Sequence, residues 1–147
     1  LGEISAIEIQ EVFRINAITP LLIFQTMLPL LLESKSPYVI NVHAKEGTFT
    51  KKKQSNHPHT NMAKAALHQL TLMINITKFK FNNNIKKIKC FGVDPGWISI
   101  DEYDLKSCPL RTPPLTELDG AARIIYPLIN KSIFSKFTIR HFHNFVV

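Results

Sequence analysis

Lys64 stands four residues after Thr60, a spacing that puts an ammonium and a hydroxyl on one face of a helix. An isolated helix lysine is in most proteins a solvated one. Asn16 lies in a largely apolar helical stretch, where its amide can bond a nearby carbonyl and bend the helix. His57, His59 and His68 invite a metal, since imidazole is a common ligand. No carboxylate or thiolate is spaced to complete a closed site with them, and no metal is expected. Cys90 and Cys108 have neither metal-type spacing nor a partner pattern, which points to a reduced, intracellular and cytoplasmic setting rather than a disulfide scaffold. Asn75-Ile76-Thr77 and Asn130-Lys131-Ser132 match glycosylation sequons, yet both fall in or near predicted helices and read as chance.

These groups need elements to position them. From Ser5 to Leu32, Ile9, Val12, Phe13, Ile15, Leu22 and Ile23 recur at three- and four-residue steps, as an amphipathic helix requires. Its second half is apolar nearly all round, which predicts burial on more than one side, and Pro20 is a candidate kink. Ser36-Pro37 ends it, and Tyr38 to Val42 reads as a parallel strand covered on both faces. Lys45 to Pro58 is a loop. His59 to Thr77 is a second helix, with Met62, Ala65, Ala66, Leu70 and Met73 on its apolar stripe and Ala63, Ala65 and Ala66 allowing close approach of a neighbour. Asn82 to Asn84 mark a turn, and Ile88 to Val93 form a strand stopped by Asp94-Pro95-Gly96. Pro109, Pro113 and Pro114 imply an irregular segment between Trp97 and Leu115. Thr116, with Asp119 three residues on, starts a helix through Ile129, and Phe134 to Ile139 alternates weakly as a last strand. Strands alternating with helices are the signature of α/β layers around a parallel sheet.

Composition narrows the classes. The chain has 147 residues, 45% hydrophobic, with only five glycines, which suits one globular domain rather than a fibrous or disordered chain. Eighteen Lys and Arg against eleven Asp and Glu give a net charge of +7, so acidic partners come into consideration. That excess sits mainly in Lys51 to Lys53 and Lys78 to Lys89, short runs that read as solvated loops or strand ends, and a nucleic-acid partner is not expected. Nor is a membrane partner: the uncharged run Ala17 to Leu32 is shorter than the ~20 residues of a spanning helix and contains Pro20, Gln25 and Pro29. The first residue is Leu1 and no signal peptide is visible, from which a missing N-terminal part is expected.

Four pieces of local text come in a characteristic order: Asn16-Ala17-Ile18-Thr19-Pro20 in a long helix, Val39-Ile40-Asn41-Val42 before a loop with Gly47, Thr60 to Leu67, and Asp94-Pro95-Gly96-Trp97-Ile98. In this the chain resembles the C-terminal half of a short-chain dehydrogenase/reductase, over nearly its whole length. In that family a tyrosine four residues before a lysine is the general acid or base. The lysine charge lowers the tyrosine pKa from about 10 and holds the nicotinamide ribose. A serine after the preceding strand holds the substrate carbonyl, and an asparagine in the long helix supports the lysine. The resemblance implies Asn16 and Lys64 as catalytic positions with Thr60 where the tyrosine would stand, and Lys64, Pro95, Gly96 and Ile98 as cofactor-binding positions. Ala44 replaces the serine, and Ile100 a threonine that contacts the cofactor.

The implied fold is a partial doubly wound, Rossmann-like parallel sheet of about three strands and three helices, with residues 1–147 as one C-terminal portion and the N-terminal half missing. The implied cofactor is NAD or NADP and the substrate a small alcohol or carbonyl compound. Binding of the dinucleotide by this chain alone is not expected, because Gly2, Gly47, Gly92, Gly96 and Gly120 are too far apart to make the phosphate-binding turn. The two long helices are expected to pair with their copies in a homodimer. The competing reading is a non-catalytic interaction module that keeps the fold.

Overall fold

The structure is a computed structural model describing residues 3–49, 57–98, 115–130 and 141–142. Its elements are helix α1 (Ala6–Phe13), a π-helical turn (Arg14–Ile18), α2 (Thr19–Glu33), strand β1 (Tyr38–Val42), α3 (Pro58–Ile76), β2 (Phe79–Phe81), β3 (Asn84–Lys86), β4 (Lys89–Val93), α4 (Glu117–Ile129) and β5 (His141–Phe142). The result is mixed α/β. A small parallel sheet runs in the order β1-β4-β5, and β2-β3 is a separate antiparallel hairpin.

The first helix starts where Ser5 accepts the Glu8 amide hydrogen at 3.1 Å. The helical run continues to Glu33, with Pro20, the candidate kink, in the first turn of α2. Proline cannot donate to the carbonyl four residues back, and a π turn lies immediately before it, closed by the Thr19 amide hydrogen on the Arg14 carbonyl. Asn16 sits inside the turn and donates its side-chain amide to the Val12 carbonyl at 3.0 Å. The whole helix, Ala6–Glu33, spans 28 residues and is long and apolar enough to cross a membrane by length and composition. The length argument against a spanning segment therefore does not hold. One face nevertheless does core work: Phe24, Leu28, Leu31 and Leu32 pack with Ile74, Ile88, Cys90 and Val39. The expected burial on further sides is absent among the described residues, where Leu22 is 54% and Leu30 61% exposed.

β1 and β4 pair in parallel, Val39 beside Cys90 and Asn41 beside Gly92. β4 is buried from Cys90 to Val93, as an interior strand should be. β1 is covered less evenly than the sequence suggested: Asn41 is buried and Val39 half-buried on one face, whereas Tyr38 and Val42 on the other are exposed, and among the described residues it is an edge strand.

The α3 stripe also differs from expectation. His59, Ala63, Leu67, Thr71 and Ile74 face inward, whereas Met62 and Met73 are exposed. Two adjacent stripes of this helix are nearly equally apolar, and buried partners for the polar residues decide between them. His59 Nε2 lies 3.3 Å from Glu8 Oε1, and Thr71 joins a network with β1. The close approach to the small residues is made by Gly47, where an added Cβ would fall 2.8 Å from the Lys64 backbone carbon.

Between α3 and β4 the predicted turn is a hairpin. Asn82 and Asn83 both have positive φ, 47° and 60°, the two-residue turn whose twist matches antiparallel strands. Thr116 and Asp119 form the reciprocal cap foreseen for α4. The last strand observed is His141–Phe142, and the predicted Phe134–Ile139 strand lies outside the described residues. So do Lys51 to Lys53, Cys108, Ile100 and the three prolines of the irregular segment.

Candidate functional site

In a parallel strand the N–H and C=O of one residue point the same way, and successive residues face opposite neighbours. His43 N donates to Val93 O at 2.8 Å and Lys89 N to Pro37 O at 3.2 Å, so residues 37, 39, 41 and 43 face β4. Tyr38, Ile40 and Val42 therefore turn their backbone groups to the open edge. Along that edge runs a groove of about 450 Å³, lined by all of β1, by Asn16, Ile23 and Met27 of the long helix, and by Lys64 and Leu67 of α3. Two of the predicted catalytic positions, Asn16 and Lys64, thus meet in one groove.

Lys64 is half-buried and donates from Nζ to the Val42 carbonyl at 2.9 Å. This closes one of the exposed edge acceptors, and lysine is a residue that proteins place on open sheet edges. Burial pulls its pKa below the ordinary lysine value, while the negative charge of Asp94 pulls it back up. Thr60 lies one turn earlier on α3, half-buried. Its side chain is too short to reach where a phenol would. Ala44, at the serine position, presents no hydroxyl to the same end of the sheet.

Asp94 ties the second group of predicted positions to the first. It is 5% exposed, and its Oδ2 accepts the Lys45 amide hydrogen at 2.8 Å while Oδ1 accepts that of Gly96 at 2.9 Å. Val42 and Val93 are paired in register, so the turn at Pro95 and Gly96 leaves the sheet beside the carbonyl that Lys64 holds. Pro95 and Gly96 do not line the groove, however. They face α4, where Arg123 Nη1 donates to Pro95 O at 3.0 Å, and Gly96 takes a φ of +89° that only glycine adopts without strain. Ile98 is engaged on the same side. Its side chain fills the space over Gly120, and it bridges to Leu115.

Beneath the groove lies a buried polar cluster that sequence reasoning missed. Asn41 Nδ2 donates to Thr71 Oγ1 at 2.8 Å, and His43 Nε2 lies 2.8 Å from the same oxygen. Thr71 Oγ1 also lies 3.0 Å from the Leu67 carbonyl, and donating its proton there leaves it to accept from His43 in the tautomer that carries the hydrogen on Nε2. The His43 ring also stacks on His68, centroids 4.0 Å apart. The signal in the sequence was weak, one asparagine inside an apolar strand and one threonine inside a helix.

The remaining groups have structural positions. Asn75 donates to Cys90 O at 2.6 Å and accepts from Cys90 N at 3.0 Å, filling the edge of β4 where β5 does not reach, so this sequon asparagine is occupied. Burial pushes the Cys90 thiol up to about 12, the opposite of a reactive cysteine. Among the described residues no group of three or more His, Cys, Asp or Glu is arranged to hold a metal ion.

No family model matches the chain. An uncharacterized protein of Acanthamoeba polyphaga mimivirus is 38% identical over 130 residues, 86% of this chain and 28% of that protein. Among solved structures, a short chain dehydrogenase of Shigella flexneri 2a str. 301 complexed with NADP superposes with a TM-score of 0.72 at 16% identity, over 96% of this chain and 55% of that one. A carbonyl reductase of Pseudomonas aeruginosa PAO1 gives 0.63 at 17% identity, over 96% and 54%. The chain spans under a third of its viral relative and about half of these enzymes. The protein thus shares the fold of the short-chain dehydrogenases over about half the length of those chains.

Proposed function

We propose that the chain is the C-terminal, substrate-side half of a doubly wound, Rossmann-like domain of the short-chain dehydrogenase type. It retains part of a site for hydride transfer between NAD or NADP and an alcohol or carbonyl compound, and it does not turn over as it stands. The observation that carries this reading is the convergence of Asn16 and Lys64 on one groove beside β1, with Thr60 a turn from the lysine. A tyrosine and a serine would complete the set, and Thr60 and Ala44 supply neither.

The residues present do not fit a dinucleotide by themselves. The Lys64 ammonium is committed to Val42 O, the Asn16 amide to Val12 O, and the glycines do not cluster into the G-x-G-x-x-G pattern of a phosphate-cradling turn. An upstream strand on the open edge of β1 would compete for the groove and release Lys64 toward a ligand.

The test is a titration with NADH and NADPH followed by nicotinamide fluorescence. The chain alone is expected to give no enhancement, and the chain joined to a segment that supplies the other half of the fold is expected to give one. Failure of the joined protein to bind either nucleotide would remove the oxidoreductase reading. In the joined protein, Thr60→Tyr with Ala44→Ser is expected to bring measurable reduction of a simple carbonyl substrate, because a tyrosine there gains a neighbouring ammonium.

A second reading, a non-catalytic interaction module, is favoured by the bond from Lys64 to Val42 O, which gives the lysine a structural task. On either reading the exposed apolar side chains Ile18 and Leu22 of the first helix and Met62 and Met73 of α3 support pairing with a second copy. Sedimentation equilibrium that finds only monomer would count against the dimer.

A further inference from the structure

The stretch from Thr77 to Cys90 contains five lysines and no acidic residue. The β2-β3 hairpin sorts them strictly by face. Phe79, Phe81 and Lys86 are half-buried, whereas Lys78, Lys80, Ile85 and Lys87 are exposed. The inner face is anchored: the Phe79 ring lies 6.0 Å from Phe24, and Lys86 Nζ bonds the carbonyls of Leu32 and Ser34 at the end of α2 while lying 5.1 Å from the centre of the Phe81 ring. The outer face is therefore a ribbon held in place, not a floppy basic loop, and among the described residues no ion pair neutralises its three lysines.

We propose that this outer face is a docking surface for an anionic lipid bilayer. Lys78 and Lys80 project to one side about 7 Å apart along the strand, a spacing that lets both reach a charged surface together. Ile85, the cross-strand partner of Lys80, is 65% exposed and would enter the boundary between headgroups and acyl chains. Both aromatic residues of the hairpin point inward, so it offers no ring on which a base can stack, which disfavours a single-stranded nucleic acid. Lysines are compact point charges suited to a diffuse anionic field, not forked donors for individual phosphates. The Lys86 anchor also sets the ribbon at the end of an apolar helix on which Leu30 is 61% exposed. This departs from the expectation of no membrane partner, which rested on the length of a helical run and not on this hairpin.

The test is co-flotation, in which self-associated protein stays at the bottom of the gradient, of the 147-residue chain with vesicles of phosphatidylcholine alone and of phosphatidylcholine mixed with phosphatidylserine. Binding is expected only to the anionic vesicles and falls as salt is added. Lys78→Gln, Lys80→Gln and Lys87→Gln are each expected to weaken partitioning about fivefold, and the triple variant carrying all three to lose it. Lys45→Gln, an exposed lysine away from the hairpin, is expected to change it less than about twofold. Ile85→Ser is expected to weaken binding without changing its salt dependence. The replaced side chains are exposed, so far-UV circular dichroism is expected to stay constant. Equal partitioning to neutral vesicles, no binding, or an unchanged triple glutamine variant overturns the proposal. A duplex RNA that outcompetes the vesicles at equal phosphate, with its binding lost in the same triple variant, also overturns it and moves the surface to a polynucleotide.

Discussion

Thr71→Val removes one hydroxyl and almost no volume, and the buried network under the sheet predicts that it is a costly change. The hydroxyl accepts from Asn41 Nδ2 and from His43 Nε2, both at 2.8 Å, and all three residues are buried. Valine takes the oxygen from His43 and leaves Asn41 Nδ2 only the weak acceptor Cys90 Sγ at 3.6 Å, a cost of about 1–3 kcal/mol for each lost bond, partly offset because the methyl group needs no solvation. The expected loss is about 2–4 kcal/mol, a fall of roughly 1–2 M in the urea midpoint followed by circular dichroism. Thr26→Val is the control. Thr26 makes the same kind of helix bond, to Leu22 O at 2.9 Å, but on the exposed face. Its variant is expected to stay within about 0.5 kcal/mol of the parent. Adding Asn41→Leu to Thr71→Val is expected to give less than the sum of the single losses, because one change has already broken the shared bond. If Thr71→Val moves the midpoint no further than Thr26→Val, these hydrogen bonds are not what seats α3, and with it Lys64, against β1.

Lys64→Met uncovers the Val42 carbonyl on the open edge while removing a partly buried charge, so light scattering is expected to show more self-association with little loss of stability. Among the described residues the parent chain already leaves the edge of β1 at Ile40 without a neighbouring strand and is expected to be poorly soluble; a well-behaved monomer in both forms would contradict the edge argument. Thr116→Ala breaks the reciprocal cap and is expected to destabilise α4 by about 1 kcal/mol, read as faster amide exchange in its first turn. The Cys90 thiol is raised from 9.0 to about 12 by burial, so the folded chain keeps a proton that the unfolded chain has lost. Its contribution is complete below pH 9.0 and drains away as pH rises from there to about 12. Urea midpoints measured across that range are expected to fall more steeply for the parent than for Cys90→Ala. Lys64 works in the opposite direction: its folded pKa lies below 10.5, so the unfolded chain binds more protons and stability rises with pH up to that value.

Local rules were sufficient wherever a short stretch of chain decides its own conformation. The Tyr38–Val42 strand, the cap at Thr116 and the stop at Asp94-Pro95 are each dictated by side chains within a few residues of one another, and the structure has them where the sequence reading put them. The spacing of Thr60 and Lys64 on one helix face was legible for the same reason. Which stripe of α3 faces inward was not, because burial of His59 and Thr71 depends on Glu8 and Asn41, partners that lie far away along the chain. The hairpin was seen only as a turn, since three-residue strands with alternating lysines carry too little apolar signal and owe their place to Phe24 and the end of α2.

The amino-acid order by itself determined the long helices, the two five-residue strands, their order and the residues available for chemistry, because those follow from backbone preference and periodicity. Only the tertiary structure decided that Asn16 and Lys64 share a groove, that Pro95, Gly96 and Ile98 turn to α4 instead, and that the lysine closes a sheet edge. Those outcomes depend on which strand edge is left unpaired and which helix face wins burial, and both are settled by contacts between residues distant in the chain.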